Sequence, residues 1–535
     1  MDWTPILPLA DLPRGGMKAR HGVLVVRLDD DSLHAMENAC PHQGYPLAQG
    51  ALGGEVLTCC WHNFKFNVRS GACLVGEEGV QTHPLRVRDG IVEVQRVVTI
   101  NTAAAWASLA EAMTKVQGSR IAREVARLLA AGVAPAALLG WAAAWDADHG
   151  EYGPSHTGAL AADLVGWLGE PPAGVDARVH DVQLVSEALD LAARAHPGRP
   201  ARERPAPERG NGDVAAELRR RAEAEEAEGA EALVRGMVAA GAARGALQAA
   251  LYPLVADHFL DFGHELIYLP KLLDLIEHSG PEYADALLGG WTFGVVMGTR
   301  EDSLPPWAGF RRRLAAFADG GGLLAAHAAR HAAGTEAAVS VEALHHTLVH
   351  AAPPAVFDAV AAALRAGPWA PVLDALVLAG AERLLRFDPA HDRNPDVEEG
   401  WLDVTHRFTV ASAARHAAEV WDHPDAARIV LATAHFIALA RPLDAAAPSP
   451  PPAPPSEPAL RAVVLGGRAR RAIFFAHDVK TLVAARAEGE RLRSALPMQA
   501  VAHYLAHPLQ ERLTRRFASE AVRLVRDGKP PGQVG

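Results

Sequence analysis

The sequence predicts a multidomain chain, a small antiparallel all-β domain followed by a large all-α domain. Three observations carry this expectation. Residues 20–98 hold strand signals, the stretch after residue 100 changes to apolar residues three and four apart, and 535 residues exceed what one hydrophobic core serves.

The strand signals run in order. An apolar run, Val23 to Val26, precedes the turn Asp29-Asp30-Asp31, and Phe64, Phe66 and Val68 alternate with polar residues. A hairpin closes the series: Leu85-Arg86-Val87-Arg88, the Asp89-Gly90 turn that suits right-twisted strands, then Ile91-Val92-Glu93-Val94. These signals define a first domain over residues 1–98. The long Ala, Leu and Arg stretches beyond it read as amphipathic helices, a helical domain over 99–445. Within it, residues 196–213 are dense in Pro, Arg and Gly and read as a flexible insertion; 446–458 form a Pro-rich linker, and 459–535 return to helices expected to pack on the helical domain.

Bulk properties exclude several function classes. Apolar residues at 49%, charged residues at 21% and a net charge of −11 describe a mildly acidic globular protein, with no basic stripe for nucleic acid. No uncharged apolar run reaches about 18 residues, and Met1-Asp2-Trp3 lacks a secretory start. The expectation is therefore a cytoplasmic protein with neither nucleic acid nor membrane as partner. All four cysteines, Cys40, Cys59, Cys60 and Cys73, fall in one short window, which points to metal rather than a disulfide framework.

Cys40-Pro41-His42 is followed, after sixteen residues, by Cys59-Cys60-Trp61-His62. Each loop supplies one thiolate and one imidazole. Such a set suits a [2Fe-2S] cluster, with Cys40 and Cys59 on one iron and His42 and His62 on the other, and it also suits tetrahedral zinc. With Gly44, Pro46-Leu47, Gly50, Trp61, Phe64, Phe66 and Ser70-Gly71 around it, the stretch from about residue 5 to 98 resembles the Rieske [2Fe-2S] family. That resemblance implies electron transfer and an electron-donating reductase or ferredoxin as partner. The additional cysteine pair of respiratory Rieske proteins is missing, so the likeness is to the ferredoxin and oxygenase type. Phe64 and Phe66 stand where the high-potential class carries Ser and Tyr, which implies a potential at the low end of the range. Cys60 and Cys73 are expected to be small buried apolar residues.

The helical part lacks the Asp-x2-His-x4-His iron site that familiar Rieske oxygenases carry; Asp257-His258 with His264 has the wrong spacing. It is nevertheless rich in the chain's 25 histidines. Helix periodicity puts His406 on a stripe with Asp403 and Val410, His435 with Leu431 and Ala438, His477 with Ile473 and Thr481, and His345 in the arc of Val341, Leu344 and Leu348. Asp257, Asp261, His264 and Tyr268 would share one face of a continuous helix if Gly263 and Pro270 do not break it. His264, His345, His406 and His477 are therefore expected to border one cavity, with Asp403 or Asp261 beside them, a set suited to a second metal or to an oxygenated substrate.

Gly263-His264-Glu265-Leu266-Ile267-Tyr268, Leu344-His345-His346 and Ala476-His477-Asp478-Val479-Lys480 resemble the scattered motifs of the questin oxidase-like family. The resemblance implies that His264, His345 and His477 line the pocket, with His149 as a fourth member. The expected function is an oxidoreductase in which a Rieske cluster feeds electrons to a histidine-lined site that oxidises or oxygenates a small organic substrate. The alternative is a redox adaptor whose helical part is a docking scaffold.

Overall fold

The computed structural model describes residues 3–76, 78–97, 100–331, 339–394, 397, 399–447, 451–453, 455–469, 471–509 and 513–528. The expected boundary at 98/99 lies outside the described residues. The chain divides into two compact units, the first of Met1–Ala112 with Gln117–Val133 and the second of Met113–Val116 with Ala134–Gly535.

The first unit is built on three antiparallel sheets. Val23–Arg27 is a central strand, paired on one side with Gly16–Arg20 and on the other with Leu33–Glu37. Its unbroken apolar run follows from cover on both faces, Leu24 and Val26 entering one buried cluster and Val23 and Val25 another. A second sheet runs Ala51–Gly53, Val56–Thr58, Lys65–Asn67, Cys73–Val75. The third pairs Trp3–Pro8 and Leu85–Arg88 with Ile91–Gln95, and its hairpin turn has positive φ at both Asp89 (49°) and Gly90 (75°), as a type I′ turn requires. Cys40 and Cys59 lie in a buried cluster with Leu24, Met36, Leu57 and Phe66.

The unit does not end with its strands. Helices Thr102–Thr114 and Gly118–Ala130 lie largely within it, and Arg127 of the second reaches Glu78 at 2.7 Å. Glu124, buried, takes Arg123 at 2.5 Å and Arg127 at 3.2 Å.

Among its described residues the second unit is built on helices joined by loops, with two isolated β-bridges, as its 3.6-residue periodicity predicts. Its centre is made by helices Thr157–Val165, His264–Ser279, Trp401–Val420 and Ala472–Leu492, the last packing against both the first and the third. Residues 196–213, read from the sequence as a flexible insertion, make contacts with the helices around them. They carry no helix until Val214 yet are pinned along their length: His196 to Asp146 at 3.0 Å, Arg202 to Glu231 at 2.7 Å, Arg204 to Asp148 and Asp285, and the Glu208 amide to the Ala232 carbonyl at 2.8 Å. The arginines that make this segment read as a solvated linker are the groups that fasten it down.

The continuous helix expected through Asp257 and Tyr268 is also broken. One helix ends at Asp257, where His258 turns extended (φ −132°, ψ 145°), and the next begins at His264, after Asp261, Phe262 and Gly263 all take positive φ (41°, 55° and 83°). Pro270, by contrast, is accommodated inside the His264 helix.

Candidate functional site

The two cysteine-histidine loops of the first unit are built alike. The Cys40 amide donates to the Tyr45 carbonyl and the Gly44 amide back to Cys40; the Cys59 amide donates to Phe64 and the Asn63 amide back to Cys59. The fifth residue of each loop is left-handed, Gly44 at φ 78° and Asn63 at 58°. Asn is among the side chains that best tolerate this conformation after Gly, so both loops can close with the same turn. The matched loops bring His42 Nδ1 to 3.3 Å from His62 Nδ1, while Cys40 and Cys59 stay buried and free. Burial pushes the Cys40 thiol up to about 11. Two buried thiols and two facing imidazoles fit a cluster whose irons draw off the thiol protons.

Residues 2–85 match the sequence model of the Rieske [2Fe-2S] domain. The N-terminal domain is a Rieske [2Fe-2S] domain. It is 29% identical over 99 residues to the anthranilate 1,2-dioxygenase ferredoxin subunit of Burkholderia cepacia, covering 17% of this chain and 91% of that one. It is also 30% identical over 106 residues to the oxidoreductase NdmD of Pseudomonas putida, but the match spans only 18% of that protein and 17% of this one. Among solved structures, the ferredoxin of carbazole 1,9a-dioxygenase from Nocardioides aromaticivorans IC177 is 27% identical, with a TM-score of 0.17, covering 18% of this chain and 100% of that one. The likeness of the helical part to questin oxidases has no counterpart among these matches.

Within the Rieske domain, the expectation that Cys60 and Cys73 are buried is corrected. Cys60, inside the second loop between Cys59 and His62, is exposed, and Cys73, at the start of its strand, packs against the core while remaining half-buried. Phe64 lies flat on the His42 ring, centroids 4.7 Å apart, and Trp61 stacks on Tyr45 at 4.1 Å.

In the helical unit the structure brings together His156, His264, His406 and His477, whose ligand nitrogens all lie within 4.8 Å of one another. His264 opens its helix and sets Nε2 at 2.8 Å from Nε2 of His406. His477 donates Nδ1–H to the Ile473 carbonyl at 2.8 Å, which fixes its tautomer and leaves a bare, buried Nε2 with no partner. The His156 Nε2 is buried and unpartnered as well. Desolvation holds all four imidazoles well below their usual pKa, so they are neutral and present lone pairs. Lys480 joins them, Nζ 3.0 Å from His406 Nε2, its amine driven far down by burial. Tyr268 stacks on His264 at 5.3 Å.

Three of the four expected histidines are therefore in the cage, and His345 is not. Its helix, Val341–His350, turns it toward Glu382, setting its Nε2 2.9 Å from that carboxylate. His149 stacks on Trp145 and donates to that residue's carbonyl. His435 packs between Trp307 and Phe310, and burial pulls it down to about 4. The carboxylates expected beside the cage have other tasks: Asp403 accepts from the Gly400 amide as a helix cap, and Asp261 from Thr299.

His156 escaped the periodicity argument because it precedes the Thr157–Val165 helix rather than lying on an inward stripe. Asp146 sets its loop, accepting from the Ser155 amide at 2.7 Å and hydroxyl at 2.6 Å while also facing His196. Lys480 stands three residues after His477, one turn along the same face, and that spacing alone held the missed signal.

Proposed function

We propose that this chain is a cytoplasmic oxidoreductase in which the Rieske domain, reduced by a reductase or ferredoxin, supplies electrons to a metal held by His156, His264, His406 and His477. A small organic substrate is oxidised or oxygenated there. The observation that carries the proposal is the pair of orphaned Nε2 atoms on His156 and His477, buried and aimed into a space shared with two further imidazoles. Leaving such atoms without a partner costs about 1–3 kcal/mol each, and a metal ion would satisfy both. Bonds of roughly 2.0–2.1 Å from imidazole place adjacent donors about 3–4 Å apart, so the cage needs only slight contraction.

Four neutral imidazoles suit iron, copper, zinc or nickel, and of these iron and copper serve an electron-accepting role. The metal would supply the redox chemistry. This chain's own residues fix the cage: His477 by its bond to Ile473, His156 through the loop that Asp146 grips. Lys480 brings its amine to the cage wall, where burial disfavours the charged form. The questin oxidase-like resemblance fits this reading at His264 and His477 and not at His345.

Metal analysis of full-length Cys59→Ala protein tests the proposal, because that variant cannot hold the cluster. About one equivalent of iron or copper should remain, and it should vanish in the Cys59→Ala/His156→Ala and Cys59→Ala/His477→Ala doubles while His345→Ala keeps it. Cluster-free protein with no residual metal would leave the helical part as a docking scaffold.

A further inference from the structure

Away from the cage, a second set of metal-ligating side chains converges. His327 lies in helix Gly322–Arg330 and His331 caps that helix four residues on, one turn along the same side. Asp422, 91 residues beyond His331, arrives from the turn after helix Trp401–Val420. Its Oδ1 is 3.0 Å from His327 Nε2 and 2.8 Å from His331 Nε2, and the ligand atoms of all three residues lie within 4.8 Å of one another. The two rings meet edge to face, at 75° with centroids 5.1 Å apart. Each of the three is presented by fixed backbone. The Ala326 carbonyl beside His327 accepts from Trp369 Nε1 at 3.1 Å, the His331 amide donates to the Ala328 carbonyl at 3.3 Å, and buried Trp421, just before Asp422, stacks on His423 and Tyr252.

We propose that His327, His331 and Asp422 form a zinc site, independent of the histidine cage, that clamps helix Gly322–Arg330 to the turn at Asp422. Two imidazoles and a carboxylate are the donor set of three-ligand zinc sites, which leave the fourth corner of the tetrahedron to water. His331 and Asp422 are exposed, so that corner opens to solvent. Imidazole nitrogen disfavours calcium and magnesium, which take oxygen donors, and selects the borderline transition metals. Bonds of roughly 2.0–2.2 Å put tetrahedral donors about 3.3–3.5 Å apart, so the three side chains need to part by only about half an ångström to admit the ion. One neighbour opposes it. Arg330 Nη1 stands 3.8 Å from the same Asp422 oxygen, its guanidinium resting on the Trp369 ring. Its positive charge competes with a cation for that carboxylate, and a metal site therefore has a variant that binds more tightly than the wild type.

Equilibrium dialysis of the full-length, cluster-loaded protein against micromolar free zinc, with zinc and iron counted together, tests this. The wild type should hold about one zinc more than His327→Ala or Asp422→Asn, with cluster iron unchanged in all three. Asp422→Asn keeps the shape of an exposed side chain, so folding is spared. Arg330→Gln should fill the same site at severalfold lower free zinc. His477→Ala, which removes a cage ligand, should keep this zinc, so the two sites fail separately. Because the ion would join segments that part on unfolding, zinc should also raise the melting temperature of the wild type more than that of Asp422→Asn. A wild type that takes up no more zinc than Asp422→Asn would overturn the proposal. So would extra zinc bound only at millimolar concentration, or weaker binding in Arg330→Gln.

Discussion

Phe64 against the His42 ring and the fully buried Phe66 leave no side-chain hydroxyl at those two places to donate to a cluster sulfur. The reduced cluster, which carries the extra negative charge, loses that stabilisation, so protein-film voltammetry should find a potential toward the lower end of the roughly −150 to +300 mV Rieske range. Phe66→Tyr should raise it. A wild-type value near the upper end would refute the argument. At Gly263 the prediction concerns stability: φ is +83°, and an added Cβ would sit 2.4 Å from Val410 Cγ2. Gly263→Ala should therefore cost at least about 1–2 kcal/mol in denaturant melts and loosen His264 beside it. The Rieske ligands were legible residue by residue because each loop holds its Cys and His two or three positions apart, a spacing set by local geometry. His156 was not, because a loop residue has no period to read.

The break at Asp261-Phe262-Gly263 shows why elements were harder to read than ligands. Four polar residues at helical spacing mimic one face of one helix, and the extended His258 with the three positive-φ residues Asp261, Phe262 and Gly263 interrupts it. Glu301 holds that turn, accepting from the Phe262 amide at 2.7 Å, and burial raises its carboxyl to about 7. A carboxyl whose folded pKa is raised contributes stability that is full below its unfolded value near 4.5 and is lost as pH climbs through 7. Thermal melts of Glu301→Gln should thus fall less than wild type between about pH 5 and 8, by a difference of order 3 kcal/mol. The 196–213 segment acts on the cage through His196 and Asp146. Asp146→Ala should free the Ser155 loop and lower metal content in a Cys59→Ala background by roughly tenfold in affinity, as loss of an orienting partner does, without disturbing the Rieske domain.

Over the whole chain, composition and period located the all-β and all-α parts, because the switch from alternation to helical spacing is a global property of the sequence. They could not show that two helices after the strands stay with the sheets, since that depends on partners such as Glu78 and Arg127, 49 positions apart. A fragment of residues 1–133 should accordingly melt several degrees above one of residues 1–98, both read by loss of cluster absorbance. The cage, by contrast, gathers His156 and His477 from positions 321 residues apart. Synthesis runs from the N-terminus, so a nascent chain owns all four cluster ligands by residue 62 but lacks the last cage ligand until residue 477. On the proposed assignment, loading of the second metal waits on synthesis as far as residue 477: a chain stalled before it would hold all four cluster ligands and still lack a cage in which to use the electrons on a substrate.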